Sequence, residues 1–401
     1  MNNEQLPLLE GVRVLDLSRV LAGPYCTMML GDLGADILKI EAPGLGDDTR
    51  QWGPPFSPGG ESAYFLCVNR NKRSLTLNLK TDQGLKILKE LIRQSDILVE
   101  NFKVDTLDKW GLDYAALQQL KPGLIYCTIT GYGYTGPYRH LPGYDFIIQA
   151  QGGLMSITGP EQGEPYKVGV AIADITAGLF ACNAILAALF EHQRSGRGQR
   201  IDISLLDSQV AWLANVGSNY LISGETPSRY GNAHPNIVPY QTFKAMDGYF
   251  ALGIGNDYQW KQFCEKAGRI EWMDDVRFKT NAERVNHRGE LIPLLTELFA
   301  QSDIAHWLAI LGAIGVPCGP INSIDQVMND PQVHAREMVI QVEHPSEGVV
   351  SMVASPLKIP TAPPVVRMPP PRLGEHTDQI LHEFLGFDLK TIQDLRNTRV
   401  I

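Results

Sequence analysis

The 401-residue chain is poor in anything that would bind a metal or form a disulfide framework. Its six cysteines, Cys26, Cys67, Cys127, Cys182, Cys264 and Cys318, are scattered singly, with no C-x-x-C spacing, and read as buried thiols of a reducing compartment. The nine histidines form neither H-x-H nor H-E-x-x-H, so no metal site is expected. No Lys/Arg-rich block offsets the net charge of −9. Nucleic acid and anionic membranes are therefore not expected partners, and an anionic small ligand needs a local basic site. No run is expected to supply the roughly 20 apolar residues of a membrane span, and the first residues lack the patterns of a secretory leader or transit peptide. These absences predict a cytoplasmic globular protein.

What the chain does have is alternation. Strand patterns at 11–17, 35–41, 74–79, 96–100 and 124–129 interleave with helical patterns near 25–33 and 83–94, and a strand at 200–204 precedes a helical run toward 221. This predicts an α/β fold with a Rossmann-like, mostly parallel sheet, right-handed crossovers, and a ligand beyond the carboxyl ends of the strands. A dinucleotide-binding enzyme is the obvious rival, with Glu41 placed where a ribose-binding acid could sit. The first turn opposes it, because residues 18–24 read SRVLAGP rather than G-x-G-x-x-G. The expected domains are a large Rossmann-like one over 1–222, a Gly-, Pro- and Asn-rich linker over 223–240, and a smaller α+β domain over 241–325. Residues 326–401 then return through the Pro-rich stretch 356–371 to complete the large domain with a helix at 377–385.

One carboxylate stands out. Asp174 lies at the mouth of an apolar helical stretch reaching to about Phe190. It fits a helix N-cap, satisfying an orphan N–H of the first turn. It also fits a nucleophile kept ionised by the helix dipole. Position alone favours the cap.

Several blocks in order are similar to the class III CoA-transferases. They are RVLAGP at 19–24, GDLGADILKIE at 31–41, GDDTR at 46–50, NRNKRS at 69–74, ENF at 100–102, ADITAG at 173–178, GRGQ at 196–199, GVPCGP at 315–320 and GEHT at 374–377. The resemblance implies ring-shaped subunits threaded into an interlocked homodimer, no permanently bound cofactor, and coenzyme A or acyl-CoA as substrate. It makes Asp174 the nucleophile that forms an anhydride and then an aspartyl-CoA thioester. Positions matching the family's CoA contacts are Leu21, Ala22, Leu77, Asn78, Lys80, Asn101, Phe102, Lys103, Lys109 and Tyr144. Asp145 falls beside the thioester, and Gly253, Gly255 and Asn256 match an active-site loop. Candidates for the acceptor's carboxylate are Arg19, Arg50 and Arg139.

Blocks at 47–55, 129–137, 154–160 and 237–240 resemble the branch that moves CoA from succinyl-CoA to a dicarboxylate such as glutarate. Formyl-CoA transferases have Gln where this chain has Leu21, Arg at Lys109 and at Ala42, and a longer glycine run. Carnitine, oxalate or formate, malate and itaconate remain alternative acids. An α-methylacyl-CoA racemase is the alternative reaction, but racemases carry His where this chain has Tyr144, and a phenol is a poor proton carrier at neutral pH.

Overall fold

In the computed structural model, which describes residues 6–401, the chain packs as two units. The first comprises Met1–Gly152, Gly169–Trp212 and Pro331–Ile401, and the second Gly153–Val168 and Leu213–Asp330. This grouping places 153–168, 213–222 and the expected linker 223–240 in the second unit.

The first unit is built on β1 (Arg13–Asp16), β2 (Asp36–Glu41), β3 (Lys72–Thr76), β4 (Ile97–Glu100), β5 (Ile125–Thr130) and β6 (Arg200–Ser204). Their order is β3-β2-β1-β4-β5-β6 with every pairing parallel. That is the doubly wound order, whose direction reverses between β1 and β4. Side chains alternate across the sheet. Val14, Ile37, Ile97 and Ile125 face α1 (Ala22–Asp32) and a long helix numbered α4 below. Leu15, Leu38, Leu98 and Tyr126 face α2 (Asp82–Arg93) and residues of the C-terminal segment. With both faces covered, the strands read as near-continuous apolar runs.

Two boundaries differ from the sequence expectation for identifiable reasons. Helix α1 starts at Ala22 rather than near 25, because Pro24 sits in the first turn, where its missing N–H loses nothing. Strand β3 starts at Lys72 rather than Ser74, because Lys72 and Arg73 are buried on ion pairs with Asp16 (3.2 Å) and Asp36 (2.6 Å).

Next come α3 (Asp145–Gln151), α4 (Ile172–Ser195) and α5 (Leu205–Ala211). Helix α4 corrects the expectation that no run could span a bilayer: it has 24 residues, and an 18-residue stretch of it, with mean hydropathy 1.8, is long and apolar enough. Half of that stretch is buried, with Ala173, Ala177, Ala181 and Ile185 in the core beneath α1. The close fit depends on Gly178, where a Cβ would come within 2.6 Å of the Ala22 carbonyl oxygen.

The second unit opens with α6 (Ala214–Ser223) and holds an antiparallel sheet of β7 (Tyr240–Lys244), β8 (Tyr249–Gly253) and β9 (Cys318–Pro320). Its core is aromatic: Phe299 lies 4.8 Å from Phe243, 5.2 Å from Phe250 and 4.9 Å from Trp307 between ring centres. The return segment adds a hairpin, β10 (Val339–His344) and β11 (Gly348–Val353), then α7 (Thr377–Leu385) and α8 (Leu389–Asn397). The hairpin and α8 escaped the sequence reading.

Candidate active site

The reversal point of the sheet is a crevice between the ends of β1 and β4, and it is clasped shut at its base. Asn101 accepts from the Arg19 N–H (2.9 Å) and donates to the Arg19 carbonyl (2.7 Å), tying the segment after β1 to the segment after β4. Val20 has φ of +69°, an uncommon conformation for a β-branched residue. It is held there from below. Asp47 accepts from the Val20 N–H (3.2 Å), from Thr49 N (3.0 Å) and from Lys39 Nζ (2.9 Å), and neither Lys39 nor Asp47 has an exposed side chain. Burial opposes the charge on Asp47, but Lys39 and the Thr49 donors outweigh it and hold the carboxyl at about 2. A buried ion pair thus shapes a turn whose other side lines a cleft.

Above this turn lies a cleft of about 200 Å³. Its walls are Arg19, Val20, Leu21 and Ala22 after β1, Asn101, Phe102, Lys103 and Val104 after β4, and Ile129, Thr130 and Gly131 at the end of β5. Arg139, Tyr144, Asp174 and Leu205 line it as well, with Asp48 and the segment 141–143. Tyr144 is brought in by a backbone contact only glycines allow: a Cβ on Gly143 would lie 2.5 Å from the Gly131 Cα. No side chain caps the first turn of α1, whose N-cap Leu21 and first residue Ala22 line the same cleft.

Asp174 is in the first turn of α4, but it is not the cap. The N-cap position is Ala171, and the capping carboxylate comes from Asp145, which accepts from the Ala173 N–H (2.8 Å) and from Gln149 Nε2 (2.8 Å). The expectation that the helix end keeps Asp174 ionised fails as well. Burial and then the charge of Asp145 push its carboxyl up to about 7, with no cation or donor offsetting them. A helix terminus favours an anion only within reach of its free N–H groups, and here Asp145 occupies one of them. Two carboxylates in unlike settings therefore have different roles, one bonded and structural, the other unbonded and of raised basicity.

A second cleft, of about 240 Å³, shares Arg19 and Phe102 with the first. It is lined by Ala42, Leu77, Asn78, Lys80, Thr106 and Trp110, with Phe102 and Trp110 edge to face at 5.5 Å. Either cleft alone is below the roughly 300–1,000 Å³ typical of a drug-sized ligand; together they suit a long one.

Of the sequence candidates, Leu21, Ala22, Asn101, Phe102, Lys103, Tyr144, Arg19 and Arg139 line the cleft with Asp174. Leu77, Asn78 and Lys80 line its neighbour. Lys109, ending a one-turn helix after Thr106, lines neither. Arg50 is removed from the acceptor candidates by its bonding: it grips Glu41 twice (2.8 Å each), Glu61 (3.2 Å) and the Pro371 carbonyl (3.0 Å), and stacks on Phe65. Gly253, Gly255 and Asn256 belong to the second unit. There Asn256 caps the helix Asp257–Lys266 by accepting from Gln259 N (2.9 Å), Gly255 N donates to Gln259 Oε1 (2.9 Å), and Gly253 makes room for the Tyr240 ring. Neither glycine has positive φ, so backbone freedom is not what this segment uses.

Residues that the sequence reading missed include Lys39, Asp47 and Tyr64. The Tyr64 hydroxyl is pushed up to about 12 by burial and then by the Asp174 charge. Lys39 and Asp47 lie within the blocks at 31–41 and 46–50, which signal the family but not these roles, and no block contains Tyr64. Among the described residues no cluster suited to a metal ion occurs.

The fold and cleft define a doubly wound α/β protein with an unbonded carboxylate in a cleft at the switch point of its sheet. The sequence model of CoA-transferase family III matches residues 9–377. The chain is 46% identical over 401 residues to human succinyl-CoA:glutarate CoA-transferase, covering 100% of this chain and 91% of that protein. It is 47% identical over 382 residues to the succinate–glutarate CoA-transferase of Agrobacterium fabrum, covering 94% and 96%. A CAIB/BAIF family protein from Brucella suis superposes with a TM-score of 0.83 at 45% identity, over 95% of this chain and 100% of that one. The chain therefore belongs to CoA-transferase family III and is a CoA-transferase.

Proposed function

We propose that this enzyme moves CoA from succinyl-CoA to a C4 to C6 dicarboxylate, glutarate above all, with Asp174 as nucleophile. The observation that carries the reading is the unbonded Asp174 carboxylate in a cleft at the switch point, in a chain whose relatives of nearly equal length are named for this acid pair. The ionised Asp174 attacks the thioester carbonyl, and CoA thiolate leaves to give a succinyl–aspartyl anhydride. The thiolate then attacks the aspartyl carbonyl, expelling succinate and leaving CoA on Asp174. Glutarate attacks this thioester, thiolate leaves again, and its return to the glutaryl carbonyl frees glutaryl-CoA and the Asp174 carboxylate. Each step passes through an oxyanion, for which the uncapped N–H groups of α1 are suited; one such donor is worth roughly 3 kcal/mol. The pantetheine arm would run past Phe102 into the cleft of Asn78 and Lys80, Lys supplying a point charge to phosphate.

Incubation with succinyl-CoA followed by hydroxylamine tests this. A hydroxamate on Asp174 is the expected result, and transfer to every dicarboxylate failing while a monocarboxylate or carnitine succeeds would overturn it. We also hold the homodimer as a proposal: Leu221 and Ile222 of α6 are 82% and 88% exposed, apolar surface that a second copy would cover. Light scattering showing a monomer would reject it. We further propose that the enzyme resides in the cytoplasm, and its recovery in a membrane or organelle fraction would reject this.

A further inference from the structure

Glutarate and succinate differ from simple acids by a second carboxylate, and within the cleft only certain cations can meet it. Lys103 and two arginines line the cavity with Asp174, Arg19 and Arg139. Arg19 is set at the mouth shared with the second cleft, paired with Asp48 at 3.4 Å and facing the Phe102 ring at 5.7 Å. Its surroundings are those of the CoA arm. Arg139 and Lys103 line only the Asp174 cavity, and of the two only Arg139 carries a planar fork that matches a carboxylate. The Arg139 guanidinium is anchored through one nitrogen, Nη2 donating to Asp105 Oδ1 at 2.5 Å. Its Nε–H is buried and makes no hydrogen bond, while the side chain as a whole is 35% exposed, so beyond the Nη2 anchor the guanidinium has no bonded donor. Asp105 itself has φ +66° and also lies 3.9 Å from His140 Nδ1.

We infer that Arg139 is the specificity residue for the dicarboxylate: its guanidinium takes the acid's distal carboxylate while the proximal one reacts at Asp174. A planar fork with donors to spare suits a carboxylate, and the anchoring by Asp105 orients it before the acid enters. This rests on the proposed function and adds to it the group that selects the acid.

The test is competition. Glutarate and valerate, equal in carbon number but differing in one carboxylate, are presented together with succinyl-CoA to the full-length enzyme, and the ratio of glutaryl-CoA to valeryl-CoA is measured. That ratio compares the two acceptors' kcat/KM values and cancels the donor steps. Arg139→Gln, which keeps a donor but loses the charge and fork, should lower the ratio by about 10- to 100-fold, the size of a charge-assisted bond. Arg139→Lys should recover part of it. Asp105→Asn, with Arg139 present, should lower the ratio less than Arg139→Gln does. A ratio unchanged in Arg139→Gln, or both acceptors falling in equal proportion, would overturn the assignment of Arg139. A wild-type enzyme that does not favour glutarate would instead remove the proposed function, so the two failures are distinct. Thermal melting confirms that each variant is folded.

Discussion

Replacing Asp145 by Asn should make this enzyme faster in mild acid. Asp174 stands at about 7 instead of its ordinary 3.8, through burial first and the Asp145 charge second. The difference corresponds to about 4 kcal/mol at 1.36 kcal/mol per pH unit. As the smaller of two causes, Asp145 accounts for less than half, or at most about 1.5 pH units. Asn retains an oxygen for the Ala173 N–H, so the cap survives, while the bond from Gln149 Nε2 is lost because that amide also donates to the Val170 carbonyl. The acid limb of kcat/KM for succinyl-CoA, which reports the free enzyme, should fall from about 7 to about 6. At pH 6 the ionised fraction of Asp174 then rises from roughly one tenth to one half, and the rate about fivefold. At pH 8 the two enzymes should differ little. Glu100, at the end of β4, is pushed to about 7 by its own burial, so Glu100→Gln is the control, and it should leave the limb in place. A limb that stays at 7 in Asp145→Asn, or climbs, refutes the assignment of charge repulsion between these two carboxylates.

Asp174→Asn should abolish transfer, by at least about 10⁴-fold, while stabilising the fold at pH 8. A carboxyl raised in the folded state contributes stability below 3.8 that is lost as pH rises to about 7, so the melting temperature of the variant should exceed wild type at pH 8 and converge toward it at lower pH; equal melting at pH 8 would contradict the raised value. The gain, discounted for partial exposure, is about 1–3 kcal/mol. Lys39→Met leaves Asp47 buried without its cation and should cost about 3–5 kcal/mol in urea unfolding, with part recovered in the Lys39→Met, Asp47→Asn pair. Gly178→Ala places a methyl 2.6 Å from the Ala22 carbonyl oxygen. It should cost about 1–3 kcal/mol and lower kcat in a folded protein; an unaltered kcat would show that the spacing of α1 and α4 does not set the position of Asp174.

The sheet was legible because a parallel sheet covered on both faces leaves apolar runs with strong punctuation, and five of its strands lie within two residues of where patterning placed them. Beginning β3 at Lys72 was not legible, since charged residues read as surface until their partners Asp16 and Asp36 are seen. Asp174 was found, but its electrostatics were misjudged. A residue at the third position of a helix looks like a cap in sequence, and nothing local reveals that Asp145, on another helix, already holds the N–H. The same limit hid Lys39 and Asp47, whose effect on Val20 exists only once β2 lies against β1. The acceptor arginines illustrate it best. Arg19, Arg50 and Arg139 are equivalent in sequence, and only bonding separates one locked on Glu41 from one with a buried free N–H.

The raised basicity of Asp174 has a further consequence for the proposed sequence of steps. In the mixed anhydride, thiolate can attack either carbonyl, and the better leaving group is the weaker base. Succinate, an ordinary carboxylate of the range near 4, leaves more readily than an Asp174 carboxylate of about 7. Attack is thereby directed to the aspartyl carbonyl, and the CoA passes to the enzyme instead of back to the donor. The same bias opposes the last step, where Asp174 must be the leaving group, so the aspartyl-CoA thioester should accumulate. Lowering the Asp174 carboxyl with Asp145→Asn relaxes that bias. In rapid-quench experiments at pH 8, where Asp174 is ionised in both enzymes, the trapped aspartyl thioester should therefore be a smaller fraction of sites in Asp145→Asn than in wild type. An equal or larger fraction would mean that leaving-group basicity does not govern the partition.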